Sequence, residues 1–466
     1  MLRVCIILEG CYPFVRGGVS TWIHQYLAQS PDIEFVLWTI HASKDDVKTP
    51  LYQFPENVKE HHMLILDEGM PRKKYSYNKL TDDTRFTDAV YRLATGKGGS
   101  FEYLVEMIRD KSIPPESLIK TEAFLEVARH LSNEISGLGL ADAFYNLQSM
   151  FLPIFKVLSA DVPTADIYHS AVTGYGGMLG AMASIVTHKP LILTEHGIYP
   201  REREEELISS DWTVKPMRHL WIKMFYEMSK FAYKHATKVT SLFDDARERQ
   251  IKIGCEPSKC VVIPNGIDIT RFKDIPVPES SSEVHIGAFV RFAAIKDIKT
   301  MILAFAYARQ KEQNLTLHIM GGTDDQDYRQ SCETLINRLD LNDCVRIEGH
   351  VDTVQFMEMM HVTILTSISE GQPLTILESM AAGRPCIATR VGNCVGLIED
   401  EILGIGAAGV CCTPMSPNEI AAAILKLCSD EELRMRMSRN GKARINTRYL
   451  LQNMLDSYHS VYQEVK

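Results

Sequence analysis

The chain has no long apolar run. Its opening stretch, Val4 to Leu8, is shorter than the core of a secretory signal, and nothing downstream reaches the length that a bilayer demands. Paired Cys-x2-Cys spacing is missing as well. Eleven cysteines lie singly or as the adjacent pair Cys411-Cys412, which excludes a zinc ribbon and suits free thiols in a reducing compartment. No basic block interleaved with aromatics occurs and the net charge is −9, so nucleic acid is not an expected partner. Repeats and low-complexity tracts are absent too. These absences lead us to expect a cytoplasmic protein. Its 466 residues, 45% hydrophobic and 23% charged, exceed one ordinary core and suit two or three domains.

What is present is concentrated between Val362 and Thr389. The apolar run Val362 to Leu365 predicts a strand, and Ser367 to Gln372 a polar turn. A short helix should follow, because Pro373 suits a first turn and Leu374, Leu377 and Ala381 recur at helical spacing. Gly383 can cap it, Pro385 forbids its continuation, and Cys386 to Thr389 resumes an extended pattern. A turn from a buried strand into a helix presents unpaired N–H groups and a positive dipole end, which favours anions. Glu370 in that turn and Glu378 in the helix are placed to accept hydrogen bonds from sugar and ribose hydroxyls. Taken alone, Glu378 reads equally well as a solvated helix residue and Glu370 as a carboxylate favoured by the dipole.

The remaining chain reads as alternating strands and helices. Strands are predicted at Leu2 to Glu9, Ile33 to Ile40, Asp166 to Ala171, Pro190 to Thr194 and Lys238 to Leu242, then at His285 to Val290, Leu315 to Gly322 and Val345 to Glu348. Gly17-Gly18 opens a helix after the first strand, and His196 stands at the end of another strand. Arg201 and Arg203 are either partners of the glutamates after them or, for Arg201, a reach toward substrate. Between Ala42 and Pro163 the pattern turns largely helical, and His61-His62 reads as surface residues. Asn265-Gly266 forms a turn, and Pro276, Pro278 and Ser280 to Ser282 suit a linker. Asp324, Asp325 and Asp327 invite a metal reading, against which Arg291 and Lys296 offer positive charge without metal. Helices are predicted over 217–234, 418–447 and Leu450 to Val465.

Glu-x7-Glu followed by Ser-Met-Ala-Ala-Gly-x-Pro (370–385) resembles the nucleotide-sugar motif of retaining glycosyltransferases of family four, which have the GT-B fold. Arg16-Gly17-Gly18, His196, Asn265-Gly266-Ile267-Asp268 and the Arg291/Lys296 pair are similar to that family's other motifs. Gln372-Pro373 departs from it, since Phe-Gly is frequent there. The resemblance implies α/β architecture with two Rossmann-like domains facing a cleft: 1–270 with a helical insertion at about 42–163, then 271–448, with a helix at 449–466 crossing back. It implies a UDP-sugar donor in the cleft, its diphosphate held by Gly17, Gly18, Arg291, Lys296 and the helix after Glu370. Glu370 would orient the sugar, Glu378 the ribose, and His196 the sugar or phosphate. Arg201, Gly371, Gln372, Leu374 and Thr375 would complete the binding set. No metal cofactor is implied. With no evident covalent nucleophile, retention implies front-face attack by a hydroxyl of a polysaccharide acceptor. Membrane-embedded subunits of an exopolysaccharide synthase are the expected partners. A GT-B nucleotide-sugar epimerase, or a non-catalytic nucleotide-sugar-binding subunit, would share such a cleft.

Overall fold

The computed structural model describes residues 1–10, 12–15, 17–67, 84–110, 113–209, 213–276, 278, 283–323, 325–349, 352–399 and 404–466. The chain divides into two units, Met1–Ile263 with Tyr458–Lys466, and Pro264–Ser457.

The first unit is built on β1 (Leu2–Glu9), β2 (Ile33–His41), β3 (Val58–Ile65), β4 (Ile167–Ser170), β5 (Leu191–Glu195), β6 (Lys238–Ser241) and β7 (Cys260–Val262). They pair in the order β3-β2-β1-β4-β5-β6-β7, all parallel, with Val4 opposite Phe35 on one side and Ile167 on the other. A parallel sheet covered on both faces needs strands that are apolar throughout, and Val4 to Leu8 are all buried. The chain winds from β1 outward to β3, then restarts at β4 and winds the other way. That reversal lies between β1 and β4.

The tract between β3 and β4 is a helical region. Its helices Thr84–Thr95, Phe101–Asp110, Glu122–Glu134 and Leu140–Ser159 bury Phe86, Leu104, Phe124, Phe151 and Phe155 in the same core as Val36 and Leu191. The insertion expected at about 42–163 also contains β3, which the sequence pattern does not announce. β3 is an edge strand, and Lys59, Glu60 and His62 face solvent, so apolar alternation is lost. His61 and His62 point to opposite faces as strand neighbours must. His62 pairs with Glu60 at 2.9 Å, whereas His61 is half-buried within 2.9 Å of the Thr39 hydroxyl, and burial lowers its pKa to about 4. The tract 68–83, with its Tyr-Ser-Tyr-Asn string, lies outside the described residues.

The last residues belong to the first unit. Tyr462 brings its hydroxyl 2.6 Å from Nδ1 of buried His169, whose Nε2 lies 2.7 Å from the Thr194 hydroxyl. Tyr458 packs edge-on against Trp22 and Tyr26.

The second unit repeats the plan with β8 (Val284–Phe289), β9 (Leu315–Met320), β10 (Val345–Gly349), β11 (Val362–Leu365), β12 (Cys386–Thr389) and β13 (Gly409–Cys412), ordered β10-β9-β8-β11-β12-β13 and again parallel. Its winding reverses between β8 and β11. The helical tract expected over 418–447 is two helices, Pro417–Ser429 and Glu431–Arg448, because the Asp430 carboxylate accepts the Leu433 amide at 2.8 Å and starts a new one.

Candidate functional site

In a sheet wound this way, ligands bind outside the carboxyl ends of the strands at the reversal. In the second unit that place is made by the loops after β8 and β11. Strand β8 delivers buried Val290 and exposed Arg291, and a short turn, Ala294–Lys296, leads to Asp297 at φ 45°, whose carboxylate receives the Thr300 amide at 3.4 Å. The loop after β11 is sewn to this turn. The Thr366 hydroxyl donates to the carbonyls of Lys296 and Asp297, both at 3.1 Å, and the Ile368 amide donates to the Ile295 carbonyl at 2.8 Å.

This stitching brings two charged side chains together. Lys296 Nζ donates to Glu370 Oε1 at 2.5 Å, and the Ser367 hydroxyl donates to the same oxygen at 2.6 Å. Both chains are mostly withdrawn from water, at 19% and 11% exposed, where a lone charge would be costly. A second contact fixes the loop from behind. Gly392 has φ +51°, and a Cβ there would lie 2.0 Å from the Glu370 carbonyl oxygen, while the Asn393 amide donates to the Gly371 carbonyl at 2.8 Å. Only glycine tolerates both the left-handed backbone and this approach. Sequence reading passed over Gly392; the available signal was a lone glycine in Thr-Arg-Val-Gly-Asn directly after a buried strand.

Helix Leu374–Ala381 starts at Pro373, with φ −70° and no side-chain cap; the Ile376 amide donates to the Pro373 carbonyl at 3.2 Å, which leaves the Leu374 and Thr375 amides available among the described residues. Gln372, 5% exposed, is held by Asn265: the Asn265 backbone amide donates to Gln372 Oε1 at 2.6 Å and its side-chain amide to the Gln372 carbonyl at 3.2 Å. Gln372 Nε2 stays buried without a hydrogen-bond partner among the described residues. Gly371, Leu374 and Thr375 are half-buried around the turn.

Glu378, two helical turns on, is in a different state. No hydrogen bond or ion pair to its carboxyl occurs among the described residues, and burial pushes its pKa up to about 7, with Arg271 opposing the rise. A half-buried, unpartnered carboxyl marks a ligand site better than a solvated helix face does. Asp325 is occupied as a cap, accepting the Tyr328 amide at 2.9 Å, and Asp324 lies outside the described residues.

The first unit holds the other predicted residues. His196 follows β5, with Trp22 edge-on at 4.6 Å; burial lowers its pKa to about 4, and its Nε2 lacks a partner among the described residues. The imidazole is therefore neutral at pH 7. Gly17 and Gly18 begin helix Gly18–Ala28, and a Cβ at either would meet nothing within 4 Å. The Gly17 φ of 170° is open to any residue, so neither backbone nor packing in this unit calls for glycine there. Arg16 lies outside the described residues. Arg201 is exposed, 3.8 Å from Glu205.

Comparison with known proteins gives two family matches. Residues 2–258 match the domain of unknown function DUF3492, and residues 276–444 match glycosyl transferases group 1. Among curated relatives, N-acetyl-alpha-D-glucosaminyl L-malate synthase of Bacillus anthracis is 26% identical over 42% of this chain and 50% of its own length. Alpha-D-kanosaminyltransferase of Streptomyces kanamyceticus is 28% identical over 51% of this chain and 64% of its own. The chain thus spans about half to two thirds of these relatives. A crystal structure of Anabaena Alr3699/HepE in complex with UDP covers 100% of both chains with a TM-score of 0.64 at 16% identity, a likeness that shows the fold, two parallel-sheet Rossmann-like units of the GT-B class.

Two outcomes follow from this geometry. Gly392→Ala should destabilise the second unit by about 1–3 kcal/mol, since strain at a positive φ adds to contact with the Glu370 carbonyl; unchanged thermal unfolding would contradict that tight approach. For Glu378 the pH dependence has a definite sign. A raised carboxyl pKa means that stability is full below the ordinary value of 4.5 and is lost as pH climbs toward about 7. Glu378→Gln removes that loss, so variant and parent should melt nearly together at pH 5, and at pH 8 the variant should melt about 2–4 °C higher. Calorimetric melts at the two pH values decide it.

Proposed function

This chain belongs to the family described as domain of unknown function (DUF3492), and from that premise we propose that it is a glycosyltransferase moving a sugar from a UDP-sugar to a saccharide acceptor. One observation carries the reading. At the reversal of the second unit, within the group 1 match, Glu370 is paired to Lys296 while Glu378 on the adjoining helix has no partner among the described residues. The Lys296 end is furnished for a charge that must be neutralised, and Glu378 for hydroxyls. A nucleoside diphosphate sugar has both. The curated names of relatives, kanosaminyltransferase among them, and the UDP held by the Anabaena protein agree with this chemistry.

In this mechanism the diphosphate takes the Lys296 ammonium, Arg291 and the free amides at the start of helix Leu374–Ala381, and stabilisation of the departing UDP is the main catalytic term. Glu370, released from Lys296, orients the sugar, and Glu378 accepts hydrogen bonds from the ribose. Neutral His196 contacts sugar or phosphate. Front-face attack by the acceptor hydroxyl retains the anomeric configuration. Arg291 and Lys296 supply the positive charge that a divalent ion would otherwise bring, so the reaction runs without metal. Activity should survive EDTA; complete loss restored by Mg²⁺ or Mn²⁺ would return Asp325 and Asp327 to consideration.

The finer reading rests on three strings: Leu-Glu-Gly-Cys-Tyr-Pro-Phe-Val-Arg-Gly-Gly-Val-Ser-Thr-Trp (8–22), Thr-Glu-His-Gly-Ile-Tyr-Pro-Arg-Glu-Arg (194–203) and Ser-Glu-Gly-Gln-Pro-Leu-Thr-Ile-Leu-Glu (369–378). Together they resemble PelF, the cytoplasmic glycosyltransferase of Pel exopolysaccharide synthesis. On that reading the donor sugar is a hexose or N-acetylhexosamine, and the acceptor is a growing exopolysaccharide. The chain then works in the cytoplasm beside membrane-embedded synthase subunits. Among the described residues no helix is long and apolar enough to cross a membrane, so membrane contact is assigned to those partners.

The two glutamates provide the test. Ribose is unchanged by the reaction, so Glu378→Ala should weaken free UDP by about 1.5–3 kcal/mol, the worth of a charge-assisted bond. Glu370→Ala should leave UDP affinity nearly intact and depress turnover by about 10²-fold or more. UDP calorimetry with transfer assays at saturating donor measures both. Equal loss of UDP by the two variants, or normal turnover of Glu370→Ala, would defeat the assignment.

A further inference from the structure

Among the cysteines of the described residues, all free thiols, one pair stands apart. Cys344, Cys386, Cys411 and Cys412 turn their sulfurs to backbone carbonyls at 3.5 to 3.9 Å. Cys255 and Cys260 turn theirs to each other, Sγ to Sγ at 3.4 Å. The backbone fixes both. Helix Asp244–Ile253 ends on Gly254 at φ +126°, and the Gln250 carbonyl accepts the amides of Gly254 and Cys255 at 3.2 and 3.0 Å. Cys260 opens β7, opposite Val239 of β6. Between the two cysteines the turn Pro257–Lys259 is closed by the Lys259 amide on the Glu256 carbonyl at 3.0 Å. That carbonyl also lies 3.4 Å from Cys260 Sγ and 3.8 Å from Cys255 Sγ. Lys259 Nζ fastens the turn to the first unit through the carbonyls of Tyr233 and Lys234, at 3.3 and 2.9 Å. Cys255 is buried, whereas Cys260 is half-buried and reached by solvent.

We propose that Cys255 and Cys260 form a redox-modification site, closed to a disulfide by a low-molecular-weight disulfide such as that of glutathione and reopened by thiols. In a reducing compartment the pair is open at rest and closes under oxidant. Cys260, the more exposed, reacts first: its thiolate attacks one sulfur of glutathione disulfide and expels one glutathione thiolate. The Cys255 thiolate then attacks Cys260 Sγ and expels the second. Two protein thiols and one glutathione disulfide become one protein disulfide and two glutathione thiols, so the protein gives up two electrons and two protons and the oxidant takes them. Burial raises the pKa of both thiols, while the Cys255 sulfur and the Arg247 guanidinium oppose the rise on Cys260, so closure speeds up as pH rises. The new bond ties the end of helix Asp244–Ile253 to β7, an edge strand of three residues that pairs with β6 alone among the described residues. It latches the open side of the first sheet whether or not the chain transfers sugar.

The whole chain is equilibrated at about pH 8 in glutathione buffers from fully reduced to fully oxidised, then alkylated, digested and read by mass spectrometry. The Cys255 and Cys260 peptides should become linked in the oxidised buffers and separate again on reduction with dithiothreitol. The oxidised parent should melt about 3–6 °C above the reduced one, because the bond restricts the unfolded chain. In Cys260→Ser that difference should vanish. In Cys255→Ser, Cys260 should stop at the glutathione mixed disulfide. A parent that keeps both thiols throughout the series, or that links them only after denaturation, overturns the site. An oxidised parent that melts with or below the reduced one, or an equal melting shift in Cys260→Ser, overturns the latch.

Discussion

A strand in a parallel sheet must always be entered from the same end, because its N–H and C=O groups match a neighbour running in the same direction. Every other feature of this molecule is arranged under that constraint. With thirteen strands in two such sheets among the described residues, each loop leaving a strand falls on the carboxyl edge, and each following helix presents its N-terminus there. Partial positive charge is thereby collected along one edge of each sheet. The carboxylates at that edge answer it: Glu9 accepts a helix amide, and Glu370 lies in the turn that opens helix Leu374–Ala381.

Glu370 and Glu378 come from one short string yet occupy opposite electrostatic conditions. Glu370 shares its Oε1 between an ammonium and a hydroxyl. Glu378 has neither, and its ionised form is disfavoured by burial. Removing one partner of a withdrawn pair strands the other charge, whereas a lone carboxyl can protonate instead. The string thus contains one group paired to an ammonium and one whose charge adapts near neutrality. Loop geometry sets this difference, because the turn lies against Lys296 and the helix does not.

Fully buried strands were legible in the sequence. Val362–Leu365 and Cys386–Thr389 match their predicted bounds because apolar runs bracketed by polar turns admit little else. Of the four edge strands among the described residues, only β10 was, expected at Val345 to Glu348 and found at Val345–Gly349. β3 carries polar side chains to solvent, β7 is three residues long, and β13 opens on Gly409, where a Cβ would lie 2.0 Å from the Cys386 carbonyl oxygen. Within the candidate site, the family resemblance singled out Lys296, Glu370 and Glu378. Their partnerships were invisible, since the Lys296 to Glu370 contact joins residues 74 apart and only folding reveals it. Gln372 stood out only as part of the departure from the family motif at Gln372-Pro373. Its side chain is instead fastened to Asn265, a residue that sequence chemistry could identify only as a turn former.

Residues Tyr458–Lys466 complete the first unit although the whole of the second unit precedes them in the chain. During synthesis, residues 1–263 therefore emerge with the Nδ1 of His169 unmatched and the rings of Trp22 and Tyr26 lacking Tyr458. Domains made first ordinarily fold first. Here the ribosome must deliver both units before the earlier one can close, so a nascent chain halted at the end of the first unit carries an open seam, and chaperones would meet it for the time taken to translate nearly two hundred further residues.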